Sequence, residues 1–316
     1  MHKTAFIFPG QGSQFVGMCK DIYEQYPIVK ETFHEADEYL GYSISDICFN
    51  GPEEELMLTE NTQPAILTAS IAILRLLQTM NISADYTAGL SLGEYSALVY
   101  SGALTFKDAL LLVRKRGVYM QEAVPKGKGT MGAVVGLSED RIKEILAEVS
   151  ENGVISIANY NTFEQTVLTG EKDAVKKALK LAKEKGAKKA IPLLVSAPFH
   201  CNLLDSAGVK LSNDLENIII NEPLIPVISN VDAKIISNKD QIKLTLVKQV
   251  INPVLWLQSI QLMLDLGVRK FIEIGPGTAL SSFVKSIAST LETEVLSESI
   301  GDIKGLEKVI VNINKS

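Results

Sequence analysis

Continuous apolar runs alternate with segments of helical spacing in the first part of the chain. The runs at residues 4–8 and 86–88 predict buried strands that each end at a glycine-containing turn. Helical spacing covers residues 16–40, 63–80, 92–101 and 106–123. For the second of these helices, we expect Asn61 or Thr62 as the cap and Pro64 in the first turn. Strands that alternate with helices in this way are typical of an α/β fold with a parallel sheet.

The pattern changes between residues 130 and 194. The predicted strands there are 130–135, 154–159, 165–169 and 188–194, and the predicted helices are 139–150 and 172–184. The order β-α-β-β-α-β is that of a ferredoxin-like unit. Beyond it, the spacing predicts a helix at 203–216, a strand at 225–229, a helical region at 239–266, a strand at 270–274 and a helix after the turn at 275–277. We therefore predict a large α/β domain of residues 1–126 and 196–316, interrupted by a subdomain of residues 127–195.

Composition and charge narrow the class of protein. The chain has 316 residues, of which 46% are hydrophobic and 22% charged, as in globular proteins. A net charge of −6 argues against nucleic-acid binding. No segment approaches the roughly 20 apolar residues that cross a bilayer, and the apolar run near the N-terminus is too short for a signal peptide. The three cysteines are widely spaced and form no disulfide framework. We expect a soluble cytoplasmic protein.

Ser91 lies in the segment Gly-Leu-Ser-Leu-Gly, between a predicted strand and a predicted helix. This context is that of a nucleophile elbow, although the short pattern also occurs by chance. A serine nucleophile needs a base, and histidine suits that role near neutral pH. Of the three histidines, His2 lies near the terminus and His34 in a charged helix. His200 is therefore the best candidate for the base, although a lone histidine is more often structural.

Two further features suit acyl chemistry. The backbone N–H of Leu92, directly after the serine, is a candidate oxyanion donor. A second donor could come from the loop FPGQGSQ, where Gly10 and Gly12 let the backbone at Gln11 approach a ligand; a simple tight turn is the alternative. No acidic residue stands out as a partner for the histidine, so a backbone carbonyl or an amide could orient it instead.

The helix at 106–123 is apolar on nearly every side and yet carries Arg114 and Arg116. A guanidinium that leaves an apolar surface needs a carboxylate, because burying an unpaired charge is costly. That carboxylate could belong to the protein or to a ligand. The spacing does not distinguish the two arginines, and for either one alone an internal salt bridge is the more common outcome.

Taken together, six motifs resemble a known family. They are FPGQGSQ, GLSLGEY, RKRGVYMQ, SAPFH, QVINPVLW and EIGPG. The chain is similar from end to end to the malonyl-CoA:acyl carrier protein transacylases of bacterial fatty acid synthesis. The resemblance implies a hydrolase-like α/β domain with a mainly parallel central sheet and an inserted ferredoxin-like (βαββαβ) subdomain. It also implies transfer of malonyl from malonyl-CoA to acyl carrier protein through a malonyl-serine, without a metal or other cofactor. We expect a monomer.

The resemblance also implies roles for individual residues. Ser91 would be the acylated nucleophile and His200 its general base, with oxyanion donors at Leu92 and Gln11. Arg116 would bind the free carboxylate of malonate in bidentate fashion. Gln249, in QVINPVLW, matches the position at which a backbone carbonyl orients the histidine.

Two positions bear on substrate choice. Many members of the family have histidine where Leu90 stands, so the polarity of the pocket differs here. Phe199, next to His200, would crowd an α-methyl branch and so favour malonyl over methylmalonyl.

Other functions share much of this chemistry. A serine thioesterase or esterase would use water as the acceptor, and an acidic partner of His200 would favour it. A trans-acting polyketide acyltransferase would differ only in its carrier, and a non-catalytic carrier-binding protein would form no acyl-serine.

Residues 171–189 carry eight lysines and three acidic residues. We expect Lys176, Lys180 and Lys183 to form an exposed stripe that borders the cleft and docks an acidic carrier protein.

Overall fold

The computed structural model describes residues 2–195 and 197–314. Ser196, at which the sequence places the second segment of the large domain, lies outside the described residues. The strands are β1 (Lys3–Phe8), β2 (Tyr86–Gly89), β3 (Gly129–Val135), β4 (Ile155–Tyr160), β5 (Gln165–Glu171), β6 (Lys189–Pro192), β7 (Val227–Ile228), β8 (Val268–Ile274) and β9 (Leu296–Ile300). The helices are α1 (Lys20–Gln25), α2 (Pro27–Leu40), α3 (Ile44–Asn50), α4 (Glu53–Leu56), α5 (Thr59–Thr79), α6 (Gly93–Tyr100), α7 (Phe106–Ala123), α8 (Glu139–Val149), α9 (Lys172–Glu184), α10 (Asp205–Leu215), α11 (Lys239–Ile251), α12 (Trp256–Asp265), α13 (Ala279–Thr290) and α14 (Ile303–Asn314).

The larger sheet is parallel, in the order β7-β2-β1-β8-β9. Residues 5–8 of β1 are fully buried, because helices cover both faces of the sheet. In the register of the two central strands, Phe8 pairs with Gly89, where both strands end. The loops that follow them therefore leave the same edge side by side. Ligand sites of parallel sheets form at this edge.

The smaller sheet is antiparallel, in the order β4-β5-β3-β6, which is the ferredoxin-like arrangement. Its alternating residues divide between two faces. Val134 and Leu168 pack with α8 and α9, whereas Met131, Ala133 and Val167 line a cavity on the opposite face. The predicted fold class is thus confirmed: a mainly parallel sheet with an inserted ferredoxin-like unit.

Several element bounds differ from the predictions. The helical region 16–40 breaks before Pro27 into α1 and α2, and the region 239–266 breaks near Pro253 into α11 and α12. The strand predicted at 225–229 is reduced to β7, and the one at 188–194 ends at Pro192. The hydrophobic spacing along the chain did not predict α3, α4, β9 and α14 as separate elements.

The predicted start of α5 is wrong. The helix begins at Thr59, so Pro64 lies inside it rather than in its first turn. The side chains of Asn61 and Thr62 do not cap; they donate to the carbonyl oxygens of Glu55 and Leu56, at 2.9 and 2.6 Å. These contacts tie the helix to the preceding turn, which the local pattern does not show.

The core lies mainly between the larger sheet and its helices. Within the described ranges, no helix combines the length and the apolar character that crossing a bilayer requires.

Candidate active site

Ser91 lies on a sharp turn between β2 and α6, with its backbone in the left-handed region at φ 52°. The turn depends on two glycines. A Cβ atom on Gly89 would lie 1.9 Å from the carbonyl carbon of Gly93, and one on Gly93 would lie 2.1 Å from the carbonyl oxygen of Phe8. No other residue fits at either position. The geometry is that of the elbow which the sequence predicts.

His200 lies beside the serine. Its Nε2 is 2.9 Å from the Ser91 hydroxyl oxygen, and its Nδ1 is 2.7 Å from the backbone carbonyl oxygen of Gln249. A carbonyl only accepts hydrogen bonds, so the proton of the neutral ring belongs on Nδ1. That leaves the Nε2 lone pair facing the serine hydroxyl. Burial, and then the charge of Arg116, lower the pKa of His200 to about 4, so the ring is neutral at neutral pH.

The other two histidines lie away from this site. His34 is exposed on α2 and contacts the Tyr23 hydroxyl at 3.3 Å, and His2 is exposed before β1. In the described part of the chain, the hydrogen-bond partner of Nδ1 is a carbonyl rather than an acid. The site therefore has a Ser–His pair oriented by the backbone of α11.

Arg116 projects from α7 into the same site and is buried. It donates to Ser91 Oγ at 3.0 Å, to Gln249 Oε1 at 3.0 Å and to Gln63 Oε1 at 2.9 Å. All three acceptors are uncharged, and no carboxylate in the described ranges forms an ion pair with this guanidinium. Burial lowers its pKa. The internal salt bridge considered for this residue is thus not formed.

Arg114 has a different environment. Its guanidinium carbon lies 4.7 Å from the centre of the Tyr42 ring, and its side chain borders a separate surface groove beside Asp214. The structure therefore separates the two arginines, which sequence spacing alone does not.

The loop after β1 contacts the elbow directly. A Cβ atom on Gly10 would lie 2.4 Å from the carbonyl oxygen of Leu90, so only glycine permits the approach. Gln11 follows it and lines the same cavity as Leu92. Among the described residues, neither of their backbone N–H groups donates to a protein acceptor. Both are thus available to a ligand oxygen, as an oxyanion site requires.

The cavity has a volume of about 260 Å³ and lies between the carboxyl edge of the larger sheet and the open face of the smaller one. Leu90 and Phe199 contribute apolar walls near the serine, with Met120, Met131, Val167, Leu193 and Val195. All the side chains that the sequence singles out for the site line the cavity, except Gln249, which lies directly behind it. In the described part of the chain, no cluster of His, Cys, Asp or Glu could hold a metal ion.

Three residues that sequence reasoning missed complete the site. Asn230 accepts the backbone N–H of Ser91 at 2.7 Å and donates to the carbonyl oxygen of Gly89 at 2.7 Å. Glu94 accepts a hydrogen bond from the side-chain amide of Gln249. Gln63 accepts one from the guanidinium of Arg116. The position of Asn230 just beyond β7, at the carboxyl edge of the sheet, is a signal that could have drawn attention to it.

The lysine-rich helix α9 is placed differently from the prediction. Lys176, Lys180 and Lys183 are exposed, as expected. However, the inner face of α9 packs on the side of the smaller sheet that faces away from the cavity; Leu179, for example, meets Gly132. The prediction that this stripe borders the cleft is therefore wrong.

Comparison with known proteins agrees with this geometry. The sequence model of the acyl transferase domain family matches residues 5–307. The malonyl CoA-acyl carrier protein transacylase of Bacillus subtilis is 49% identical over 299 residues, which cover 94% of each chain. The solved malonyl CoA-acyl carrier protein transacylase of Clostridium perfringens is 44% identical, with a TM-score of 0.94 over 99% of this chain and 98% of the other.

One similar structure contains a partner. It is described as a type II PKS acyl-carrier protein in complex with its malonyl-transacylase. The similar chain is 42% identical, with a TM-score of 0.94 over 98% of this chain and 99% of that one.

Proposed function

The chain belongs to the acyl transferase domain family, and we propose that it moves a malonyl group from malonyl-CoA to the phosphopantetheine thiol of an acyl carrier protein, for fatty acid biosynthesis. One observation carries the choice of acyl group. Among the described residues, the hydrogen-bond acceptors of the buried Arg116 guanidinium are all uncharged, and one of them is the oxygen of Ser91, at 3.0 Å. An acyl group with a free carboxylate, once attached to that oxygen, supplies the direct anionic acceptor that this guanidinium lacks.

The first half-reaction forms a malonyl-serine ester. Nε2 of His200 takes the hydroxyl proton as Ser91 attacks the thioester carbonyl. The N–H groups of Leu92 and Gln11 receive the oxyanion, and loss of one such donor typically costs about 3 kcal/mol of transition-state stabilisation. When the tetrahedral intermediate collapses, His200 returns the proton to the departing CoA sulfur.

The second half-reaction reverses these roles. The carrier thiol gives its proton to His200 and attacks the ester, and the serine leaves with that proton. Protons and charge balance within the Ser–His pair, so the chemistry needs no metal or other cofactor. Between the two steps, the guanidinium of Arg116 binds the malonyl carboxylate through two parallel hydrogen bonds.

The role of Gln249 is to orient the histidine. Its carbonyl holds the Nδ1–H of His200 at 2.7 Å, and its side chain accepts from Arg116 at 3.0 Å. This arrangement supports transfer rather than hydrolysis, for which an acidic partner of the histidine would be expected.

We further propose that the chain acts as a cytoplasmic monomer in two domains. Every group that the mechanism uses comes from one chain, and its three cysteines are free and buried. Residues 1–126 and 196–316 would form the larger domain and residues 127–195 the smaller, in agreement with the extent of the second sheet.

Intact-mass analysis tests the proposal. The protein mixed with malonyl-CoA should gain one malonyl group and lose it on addition of holo acyl carrier protein, which gains it. Ser91→Ala should gain none, and His200→Ala should gain it far more slowly. A stoichiometric adduct on Ser91→Ala, or loss of malonyl to water at the same rate without carrier, would contradict the proposal. Fatty acid and polyketide carriers assayed side by side distinguish the pathway.

A further inference from the structure

A fully buried carboxyl group lies one helical turn beyond the nucleophile. Glu94 is 0% exposed on α6. Its Oε2 accepts from Gln249 Nε2 at 2.6 Å and from the backbone N–H of Asn230 at 3.3 Å. Its Oε1 is buried and meets no hydrogen-bond partner among the described residues. The mechanism above does not use this group.

The amide of Gln249 connects this carboxyl to the arginine. Its nitrogen faces Glu94, and its oxygen accepts from Arg116 at 3.0 Å. The orientation of the amide is thereby fixed, because its donor side faces the acid and its acceptor side faces the cation. The two charges are separated by a single amide group.

Both charges are otherwise isolated in the described structure. Arg116 is the only lysine or arginine that is buried there, and neither it nor Glu94 forms a direct ion pair. The elements packed around Glu94 present few other charges. Asp232, in the segment after β7, is of like sign, and α11 presents the uncharged Gln249. Arg116 is thus the one cation available to stabilise the carboxylate.

We propose that Glu94 is the counter-ion of Arg116 in the free enzyme and takes up a proton from solvent when the malonyl carboxylate binds to that arginine. The proposal rests on the proposed malonyl transfer. Before acylation, the pocket holds one guanidinium and one carboxylate. Afterwards, it holds the guanidinium, the malonyl carboxylate and a neutral Glu94, so its net charge is unchanged. Departure of malonyl on the carrier restores the first pair and releases the proton.

The electrostatics favour this exchange over a pocket with two carboxylates. Like charges that share one buried site disfavour each other's ionised form. Burial raises the pKa of Glu94 to about 7 even in the free enzyme, against the opposing effects of its hydrogen bonds and of Arg116. A second anion bound to Arg116 offsets the positive charge that keeps Glu94 ionised, so the pKa of Glu94 should rise further.

The variant Glu94→Gln separates the effect of the titratable proton from the effect of the hydrogen bonds. The glutamine oxygen can still accept from the Gln249 amide, but it cannot titrate. Glu273→Gln is a matched control, because Glu273 is also buried, accepts the N–H groups of Leu280 and Ser281, and has a raised pKa, yet forms no hydrogen bond with the nucleophile, its base or the buried guanidinium.

The experiment measures proton uptake on formation of the malonyl-enzyme. Each variant is mixed with malonyl-CoA in weakly buffered solution, the pH change is followed with an indicator dye, and the adduct is counted by intact mass. Proton release from the free CoA thiol is common to all variants and cancels between them. With a pKa near 7, wild type and Glu273→Gln should take up about 0.9 proton more per adduct than Glu94→Gln at pH 8, and almost none more at pH 5.5.

The equilibrium constant for acylation follows the same linkage. Relative to Glu94→Gln, the wild-type constant should fall about tenfold between pH 6 and pH 8, because acylation consumes a proton. If malonyl-enzyme forms and wild type takes up no more protons than Glu94→Gln, the counter-ion exchange is refuted. If no malonyl-enzyme forms in wild type, the proposed function itself fails.

A second measurement needs no variant at position 94. Infrared difference spectra of wild type with ¹³C-labelled malonyl-CoA separate the protein's carboxyl bands from those of the substrate. An unlabelled protonated-carboxyl band should appear on malonylation at pH 8. Its absence would overturn the proposal even if Glu94→Gln does not fold.

Discussion

Nδ1 of His200 lies 2.7 Å from the backbone carbonyl oxygen of Gln249, where a hydrolase triad would place a carboxylate. A carbonyl fixes the tautomer and the direction of the ring but carries no full charge. It therefore raises the pKa of the buried imidazole less than an acid would. The consequence is a histidine that stays neutral well below neutral pH.

The acylation rate should reflect this neutral histidine. Because the pKa of His200 is lowered to about 4, single-turnover acylation should be half-maximal near that pH on its acid limb. Rapid quench between about pH 3 and pH 8, with mass detection of the adduct, measures the limb. His200→Ala should lower the plateau by roughly 10²- to 10⁴-fold. A wild-type limb centred near pH 6.5 would show that the ring is not held neutral.

The free energy of unfolding should depend on pH through the same histidine, His200. The folded pKa of about 4 lies below the ordinary value of 6.5, so the unfolded chain binds the proton first as pH falls. The histidine's contribution to folding is therefore present above pH 6.5 and lost between 6.5 and 4, on the order of 3 kcal/mol. Urea unfolding across this window should show a steeper loss in wild type than in His200→Gln. Parallel curves would contradict the shift.

Arg116 should determine the choice of acyl group. Arg116→Ala should lower kcat/KM for malonyl-CoA by roughly a hundredfold or more, because two charge-assisted hydrogen bonds to the acyl carboxylate are lost. Arg116→Lys keeps the positive charge but cannot donate two parallel hydrogen bonds, so it should recover only part of the malonyl transfer rate. Acetyl transfer or hydrolysis should rise in Arg116→Ala. Arg114→Ala is the matched control, because that side chain stacks on Tyr42 away from the cavity. Unchanged malonyl transfer in Arg116→Ala would exclude the role.

Phe199 should limit branching of the acyl group. Its ring lines the cavity beside His200, so an α-methyl substituent would meet it. We expect kcat/KM for malonyl-CoA to exceed that for methylmalonyl-CoA in wild type, and the ratio to shrink in Phe199→Ala as the wall is removed. The two substrates are compared in one competition assay. Equal rates in wild type would refute the steric argument.

Local sequence was sufficient for much of the site. Ser91 could be found because a strand, a tight turn and a helix follow one another along the chain, and His200 because only three histidines exist. The two glycines of the elbow belong to the same local pattern, Gly-Leu-Ser-Leu-Gly, that marks the serine. Such features depend on neighbours in sequence, and they were predicted.

Contacts between distant segments were not predictable in the same way. Asn230 reaches the backbone N–H of Ser91 from 139 residues away, and Glu94 meets Gln249 across 155. The placement of α9 shows the same limit. Helical spacing correctly assigned Lys176, Lys180 and Lys183 to the exposed side, but it does not tell which face of the sheet the helix covers.

The geometry of the smaller sheet points to another lysine as a contact for the carrier. On the edge strand β6, Ile191 pairs with Ala133, and Lys189 pairs with Val135. Paired residues project to the same side of a sheet, and Ala133 lines the cavity. Lys189 therefore projects from the cavity-facing side of β6 and is exposed, whereas Lys176 and Lys180 lie behind the opposite face.

Charge reversal at these two places should have different effects on carrier docking. An acidic carrier that docks on the cavity-facing side of the smaller sheet lies near Lys189, so Lys189→Glu should raise KM for the carrier several-fold at low salt, while acylation by malonyl-CoA in the absence of carrier stays close to wild type. The difference should shrink above about 0.15 M salt, where the screening length is roughly 8 Å, because an exposed charge acts mainly on the encounter rate.

The matched control is Lys176→Glu combined with Lys180→Glu. This pair places twice the charge change on the far side of the smaller sheet and should leave the carrier KM nearly unchanged. Steady-state transfer to holo carrier at two ionic strengths measures both. A carrier KM that responds to the α9 pair and not to Lys189 would place the docking surface on the outer helices instead.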